Sequence, residues 1–310
     1  MENILIIKHG ALGDFVLAIG AMRALKDQSP QARFTLLTSP PFVKIAEQMD
    51  MFSDYIIDNR LPFWHIGETH RVVSAILRGR FDRIYDLQGT TRTRTYRRFW
   101  RFLAPARSFC EWHSRDDISY HMRRGLLPLL PGRVTQVPQR IPGNVTDLSF
   151  LHGEGKYFDR LPARFVLLIP GCSLKHPYKR WPVEHYREIV RRLAERNVRA
   201  VLLGTKAEAD EAAAIAEGNA SVVNMVGLTS IEDVPQIALR ALAVVGNDTG
   251  PSHMASLTGA FTIAIFDQRN SHSVLRGPNV ANLVSPGCVA EISPDEVWQH
   301  LVPHVSSAAE

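Results

Sequence analysis

Short β-branched apolar runs alternate along this chain with longer stretches whose apolar residues recur every three or four positions. The first half holds strand-like ILIIK (4–8), RFTLLTS (33–39), DYIID (54–58) and DRIYDL (82–87). Helix-like stretches at 15–27, 41–49 and 68–79 separate them. The second half repeats the theme with FVLLIP (165–170), RAVLLG (199–204), SVVNMV (221–226), LAVVGN (242–247) and FTIAIF (261–266). Its helical stretches are 182–196, 206–217, 231–241 and 251–258, and ISPDEVWQHLVPHVSS (292–307) reads as a final amphipathic helix. Fully apolar strands alternating with helices predict parallel sheets covered on both faces, hence an α/β protein built from two successive Rossmann-like, doubly wound halves. Residues 128–163 hold five prolines and little periodicity. That stretch is the expected connection, dividing the chain into residues 1–160 and 161–310.

Composition narrows the class. The chain has 310 residues, 45% hydrophobic and 22% charged, the balance of an ordinary folded protein rather than a disordered chain or a disulfide scaffold. The net charge of +5 permits a phosphate-bearing partner without demanding one. Cys110, Cys172 and Cys288 lie far apart and show no zinc spacing, which points to a reducing cytoplasm. The apolar N-terminal run is broken by Lys8, His9 and Asp14, so it is not read as a signal peptide, and no run reaches membrane-spanning length.

Three strand-to-helix loops carry the polar chemistry. The first, His9-Gly10-Ala11-Leu12-Gly13-Asp14, leads into a helix expected from Phe15. Its glycines allow a ligand close to the backbone, but the spacing is neither G-x-G-x-x-G nor a P-loop. The second strand ends in Leu37-Thr38-Ser39-Pro40 without the acid a dinucleotide ribose needs, which disfavours a nicotinamide dehydrogenase. An Asp at position 14 reads first as a helix N-cap, and a general base is the competing role. The second loop, Asn247 to His253, gathers Asp, Thr, Ser and His around a Gly-Pro pair that opens a helix. The third, Pro170 to Pro182, brings Lys175, Lys179 and Arg180 to a strand mouth, where cations suit a diphosphate or a merely solvated loop. No D-x-D triad accompanies them, and no metal ligand set is read.

Taken together, KHGALGD (8–14), KRWP (179–182) and NDTGPSHMA (247–255) resemble the ADP-heptose:lipopolysaccharide heptosyltransferases of glycosyltransferase family 9. The resemblance implies a GT-B architecture, with two Rossmann-like domains facing across a cleft. It implies metal-independent, inverting transfer of a sugar from a nucleotide diphosphate donor, with ADP-heptose the expected co-substrate and no other cofactor. By position, Asp14 matches the general base, with Gly13 beside it as an acceptor contact. Lys179 matches the lysine on the donor phosphates, and Asp248, Thr249, Gly250 and His253 match the donor-binding motif. Glu208 resembles the acid that binds the nucleoside, with Glu211 as competitor, and Ser173 stands where a hydroxyl contacts phosphate. The expected acceptor is an anionic glycolipid, a lipopolysaccharide core precursor at the inner membrane face.

From Leu87 to Cys110 there is no acidic residue, but there are six arginines, Arg92, Arg94, Arg97, Arg98, Arg101 and Arg107, interleaved with aromatics. The competing readings of this helix are acceptor phosphates (through Arg92 and Arg94), an anionic membrane, nucleic acid, or a solvated face over a buried aromatic one. Two rival functions follow: a relative using another nucleotide sugar, and a nucleic-acid-binding protein built on Arg92–Arg107. No nucleic acid is expected on the transferase reading.

Overall fold

The computed structural model describes residues 1–62, 64–103, 111–113, 147–269, 275 and 279–306, with residues 111–113 as backbone only. The chain divides into two compact units, Met1–Thr146 and Asp147–Glu310. The division falls earlier than the expected 160/161 because residues after 146 bind the second unit. Leu148 N donates to Leu257 O, Gly155 N to the Asp233 carboxylate, and Gln236 Nε2 to Ser149 O.

In the first unit the elements run β1 (Asn3–Ile7), α1 (Leu12–Gln28), β2 (Arg33–Thr38), α2 (Val43–Glu47), β3 (Asp54–Ile57), α3 (Ile66–Arg78), β4 (Arg83–Asp86), α4 (Thr91–Leu103) and β5 (Glu111–His113). The five strands are parallel in the order β3-β2-β1-β4-β5. In the second unit they run β6 (Phe165–Ile169), α5 (Val183–Ala194), β7 (Arg199–Leu202), α6 (Ala209–Ala216), β8 (Val222–Asn224), α7 (Val234–Arg240), β9 (Ala243–Asn247), α8 (Gly250–Ser256), β10 (Thr262–Asp267), β11 (Val280–Ser285) and α9 (Pro294–Ser306). These six strands are parallel in the order β11-β10-β9-β6-β7-β8.

Both sheets start in the middle and reverse direction once. The reversal opens a crevice at the carboxyl ends of β1 and β4 in one unit and of β6 and β9 in the other, where such sheets take their ligands. Strands β6, β9 and β10 are buried along their whole length, as expected where helices cover both faces. Trp181, fully buried, anchors the second core with Tyr186 and the inner face of α5. The short β5 and the half-exposed β11 were not among the expected strands.

Candidate active-site loops

In the first unit, the turn after β1 is held by side chains from the turn after β4. The buried Gln88 accepts from His9 N and Gly10 N (3.1 and 3.3 Å) and donates to Gly10 O (3.0 Å). Asp86 in turn receives the backbone N–H groups of Gln88 and Gly89. Gly10 has φ near +109°, and the Phe42 ring fills the space a side chain would need, so only glycine fits.

Beneath this turn lies a buried ionic cluster. Asp58, wholly shielded from solvent, accepts two bonds from Arg92 (2.7 and 2.8 Å) and one from Tyr96 Oη (2.6 Å). His9 Nε2 lies 2.9 Å from the same carboxylate without the alignment of a hydrogen bond. Burial pushes the Asp58 pKa up, but the close imidazole of His9 and the bonds from Arg92 and Tyr96 outweigh it and hold the carboxyl far below the ordinary carboxylate range. The third donor of Arg92 reaches Leu61 O (2.6 Å). Arg92 therefore does not offer the free guanidinium expected of an acceptor contact; it neutralises Asp58.

Two other expectations change. Helix α1 begins at Leu12 rather than Phe15, its N-cap is Ala11, and no side chain caps it. Gly13 and Asp14 thus sit inside the first turn, and Asp14 is not the cap. Its carboxylate is exposed and has no partner among the described residues. Helix α4 buries Thr93, Tyr96 and Trp100, while Arg94 and Arg98 face solvent. Phe99, Phe102 and Leu103 are exposed as well, so the aromatics divide between core and surface. Arg107 lies outside the described residues, as does Cys110.

In the second unit, the loops after β6 and β9 meet at the sheet's reversal point. The fully buried Asn247 joins them. Its oxygen accepts from Trp181 N (3.2 Å) and Tyr186 Oη (3.1 Å), and its amide donates to Pro170 O. This brings Lys179 against the next residue of the motif: Lys179 Nζ donates to Asp248 Oδ2 at 2.6 Å. His253 Nε2 lies 3.5 Å from the other Asp248 oxygen, and His253 Nδ1 is buried without a partner. Burial raises the Asp248 pKa, but His253 and Lys179 outweigh it and hold it below the usual value. Thr249 is the N-cap of α8, and its hydroxyl lies 3.2 Å from Ser252 Oγ. Lys179, Asp248, Thr249, Gly250 and His253 are thus brought together as expected from their order.

Ser173 and Glu208 have other hydrogen-bond partners. Ser173 is exposed at the tip of the loop, and its hydroxyl accepts from Lys175 N. Glu208 is buried in a capping box, where one oxygen accepts from Thr205 N and Thr205 Oγ1, each at 2.7 Å. A side chain on Gly171 would strike Glu208 Cγ at 2.6 Å, so Glu208 packs directly beneath the first residues of the β6 loop. Its competitor Glu211 is half-buried and paired with Arg180 (3.4 Å); burial raises its pKa despite that arginine. Arg180 also donates to the buried thiol of Cys172 at 3.4 Å. No group of His, Cys, Asp or Glu suited to a metal ion occurs among the described residues.

Residues 137–283 match the model of glycosyltransferase family 9 (heptosyltransferase). Lipopolysaccharide heptosyltransferase 2 of Escherichia coli is 24% identical over 300 residues, covering 85% of this chain and 82% of that protein. The solved E. coli ADP-heptose lps heptosyltransferase II superposes with a TM-score of 0.75 at 19% identity, over 100% of both chains. The E. coli heptosyltransferase WaaC, solved with ADP, superposes at 0.70 and 18% identity, covering 97% of this chain and 99% of that one. Two doubly wound parallel sheets, each with its polar loops at the reversal point, give the GT-B fold, and the sequence matches make the chain a glycosyltransferase. The sequence is similar to glycosyltransferase family 9, the heptosyltransferases.

Proposed function

We propose that this enzyme transfers a heptose from ADP-heptose to an anionic lipopolysaccharide core precursor, with inversion and without a metal ion. The observation that carries this reading is the pairing of Lys179 with Asp248 at the reversal point of the second sheet, within the residues that match the family model. The relatives point to the same chemistry, one by its lipopolysaccharide name and one by its bound ADP. In this mechanism the donor lies on the second unit, with Lys179 on its phosphates and Glu208 toward the nucleoside. The exposed carboxylate of Asp14 takes the proton of the acceptor hydroxyl as the new bond forms. Charge growing on the departing diphosphate is met by fixed cations rather than by a bound ion, and EDTA leaves the rate unchanged.

We place the enzyme in the cytoplasm, touching the inner face of an anionic membrane through α4. That helix exposes Phe102 (82%) and Leu103 (54%) beside Arg98 and Arg101, a pairing that suits an interface of acyl chains and acidic headgroups. No helix among the described residues is long and apolar enough to cross a membrane. The test is thermal stabilisation by ADP, UDP, GDP and CMP, followed by transfer from ADP-heptose to a soluble core acceptor. Stabilisation by UDP or GDP alone assigns another nucleotide sugar. No stabilisation by any of them, with retention on nucleic acid, overturns the transferase assignment.

A further inference from the structure

Arg269 lies just past β10, whose carboxyl end sits next to that of β9 and its Asp248 motif. Its backbone N–H and Nε both donate to Asp267 Oδ1 (2.9 and 2.7 Å), and Nη2 donates to Oδ2 (2.7 Å). Asp267 is wholly buried, and these bonds hold its carboxyl below the usual range. The guanidinium carbon lies 4.1 Å from the centre of the Tyr178 ring, and the ring of His176 meets Tyr178 edge-on at 5.6 Å. Tyr178 immediately precedes Lys179 in the same turn.

The guanidinium is therefore fixed twice, by a buried carboxylate and by an aromatic ring. Even so, the Arg269 side chain stays 63% exposed, and Nη1 has no partner among the described residues. An arginine that served only as a surface ion pair would give up rotamer freedom for little return. Held in one plane with an open edge, it suits an anionic oxygen instead. The neighbouring Lys179 is largely buried and already engaged by Asp248, which leaves a diphosphate in need of a second cation. Nothing in the loop motifs singled out Arg269, because its place depends on Tyr178, 91 positions away.

We propose that Arg269, on its Tyr178 platform, binds the diphosphate of the donor and of the departing nucleotide. The proposal rests on the nucleotide-diphosphate reading above. During transfer the acceptor oxygen bonds to the anomeric carbon. The bond from that carbon to the phosphate oxygen breaks with its electron pair going to the phosphate, and the acceptor proton passes to Asp14. Arg269 Nη1 faces the charge that appears on the phosphate.

The experiment is calorimetric titration of the full chain with ADP, adenosine and inorganic pyrophosphate. Arg269→Gln should weaken ADP and pyrophosphate by about ten- to a hundredfold, the range for one charge-assisted hydrogen bond, and leave adenosine unchanged. Because this variant strips Asp267 of its partner, the double variant Asp267→Asn/Arg269→Gln is measured beside it. A double variant as weak as Arg269→Gln supports phosphate contact; recovery of wild-type ADP affinity shows that Arg269 merely neutralises Asp267 and overturns the proposal. Equal losses for ADP and adenosine overturn it too. Wild-type protein that binds pyrophosphate but not ADP removes adenine as the base and leaves Arg269 to be judged on pyrophosphate. Wild-type protein that binds neither overturns the donor reading and this proposal together.

Discussion

The two reversal points use their charges in opposite ways. In the first unit the charged groups satisfy one another: Asp58 is fully enclosed by Arg92, Tyr96 and His9, and Gln88 stitches the turn. One carboxylate, Asp14, is left exposed on that rigid platform. In the second unit Lys179 with Asp248 and Arg269 with Asp267 are paired, yet each pair keeps an edge toward solvent. The first arrangement suits a single proton transfer; the second suits holding a polyanion. A buried pair that is complete stabilises the fold, whereas one that is incomplete can be completed by a ligand.

The sharpest way to break this contrast is Asp14→Asn. It should lower kcat by about 100- to 10,000-fold and leave ADP affinity intact, because only the proton acceptor is lost. Near wild-type turnover would remove Asp14 from the chemistry. Arg92→Ala should cost about 3–5 kcal/mol of stability in urea unfolding, since Asp58 would remain as an uncompensated buried charge. A loss of acceptor affinity with unchanged stability would instead restore Arg92 to the substrate. Lys179→Ala should cost about 1.5–3 kcal/mol in ADP binding and little in adenosine binding. Equal losses would make Lys179 structural, like its counterpart in the first unit.

Acid sharpens the comparison further. The folded Asp58 pKa lies far below its ordinary 3.8, so the stability it contributes is complete above that value and drains away as pH falls through and below it. Unfolding free energies measured from pH 6 down to pH 3 should decline less steeply in Asp58→Asn than in wild type; parallel slopes would contradict the cluster. The smallest effect belongs to Arg94→Ala. One exposed charge is worth about 0.2–1 kcal/mol, a severalfold rise in acceptor KM at most. No change at all, with reduced binding to anionic vesicles, would assign α4 wholly to the membrane.

Nine strands were legible as short apolar-rich runs, most plainly β6, β9 and β10, because parallel strands buried on both faces can hold little else. β11 escaped because its burial is patchy and Asn282 interrupts it, and β5 is only three residues long. The donor motif was legible because its residues are neighbours in sequence. Asp58, Gln88 and Arg269 were not, for each draws its meaning from partners 34 to 91 positions distant. Asp58 at the end of strand DYIID was the nearest to a readable signal, a lone acid closing an apolar strand. Asp14 was misplaced as a cap because Gly13 looked like loop, whereas the helix starts at Leu12.

The Asn247 staple has a consequence for how such an enzyme can diversify. It clamps the carbonyl of Pro170 at one end of the loop after β6 and the amide of Trp181 at the other, and the Trp181 indole is tied separately to Ile292 O. Leu174 to His176 lie exposed between those clamps. Insertions or replacements there stay local, because the clamps fix Lys179 relative to Asp248. A library that randomises Leu174 and Lys175 therefore offers a route to new donor preferences with the fold preserved, while the same freedom at Asn247 would detach the whole loop.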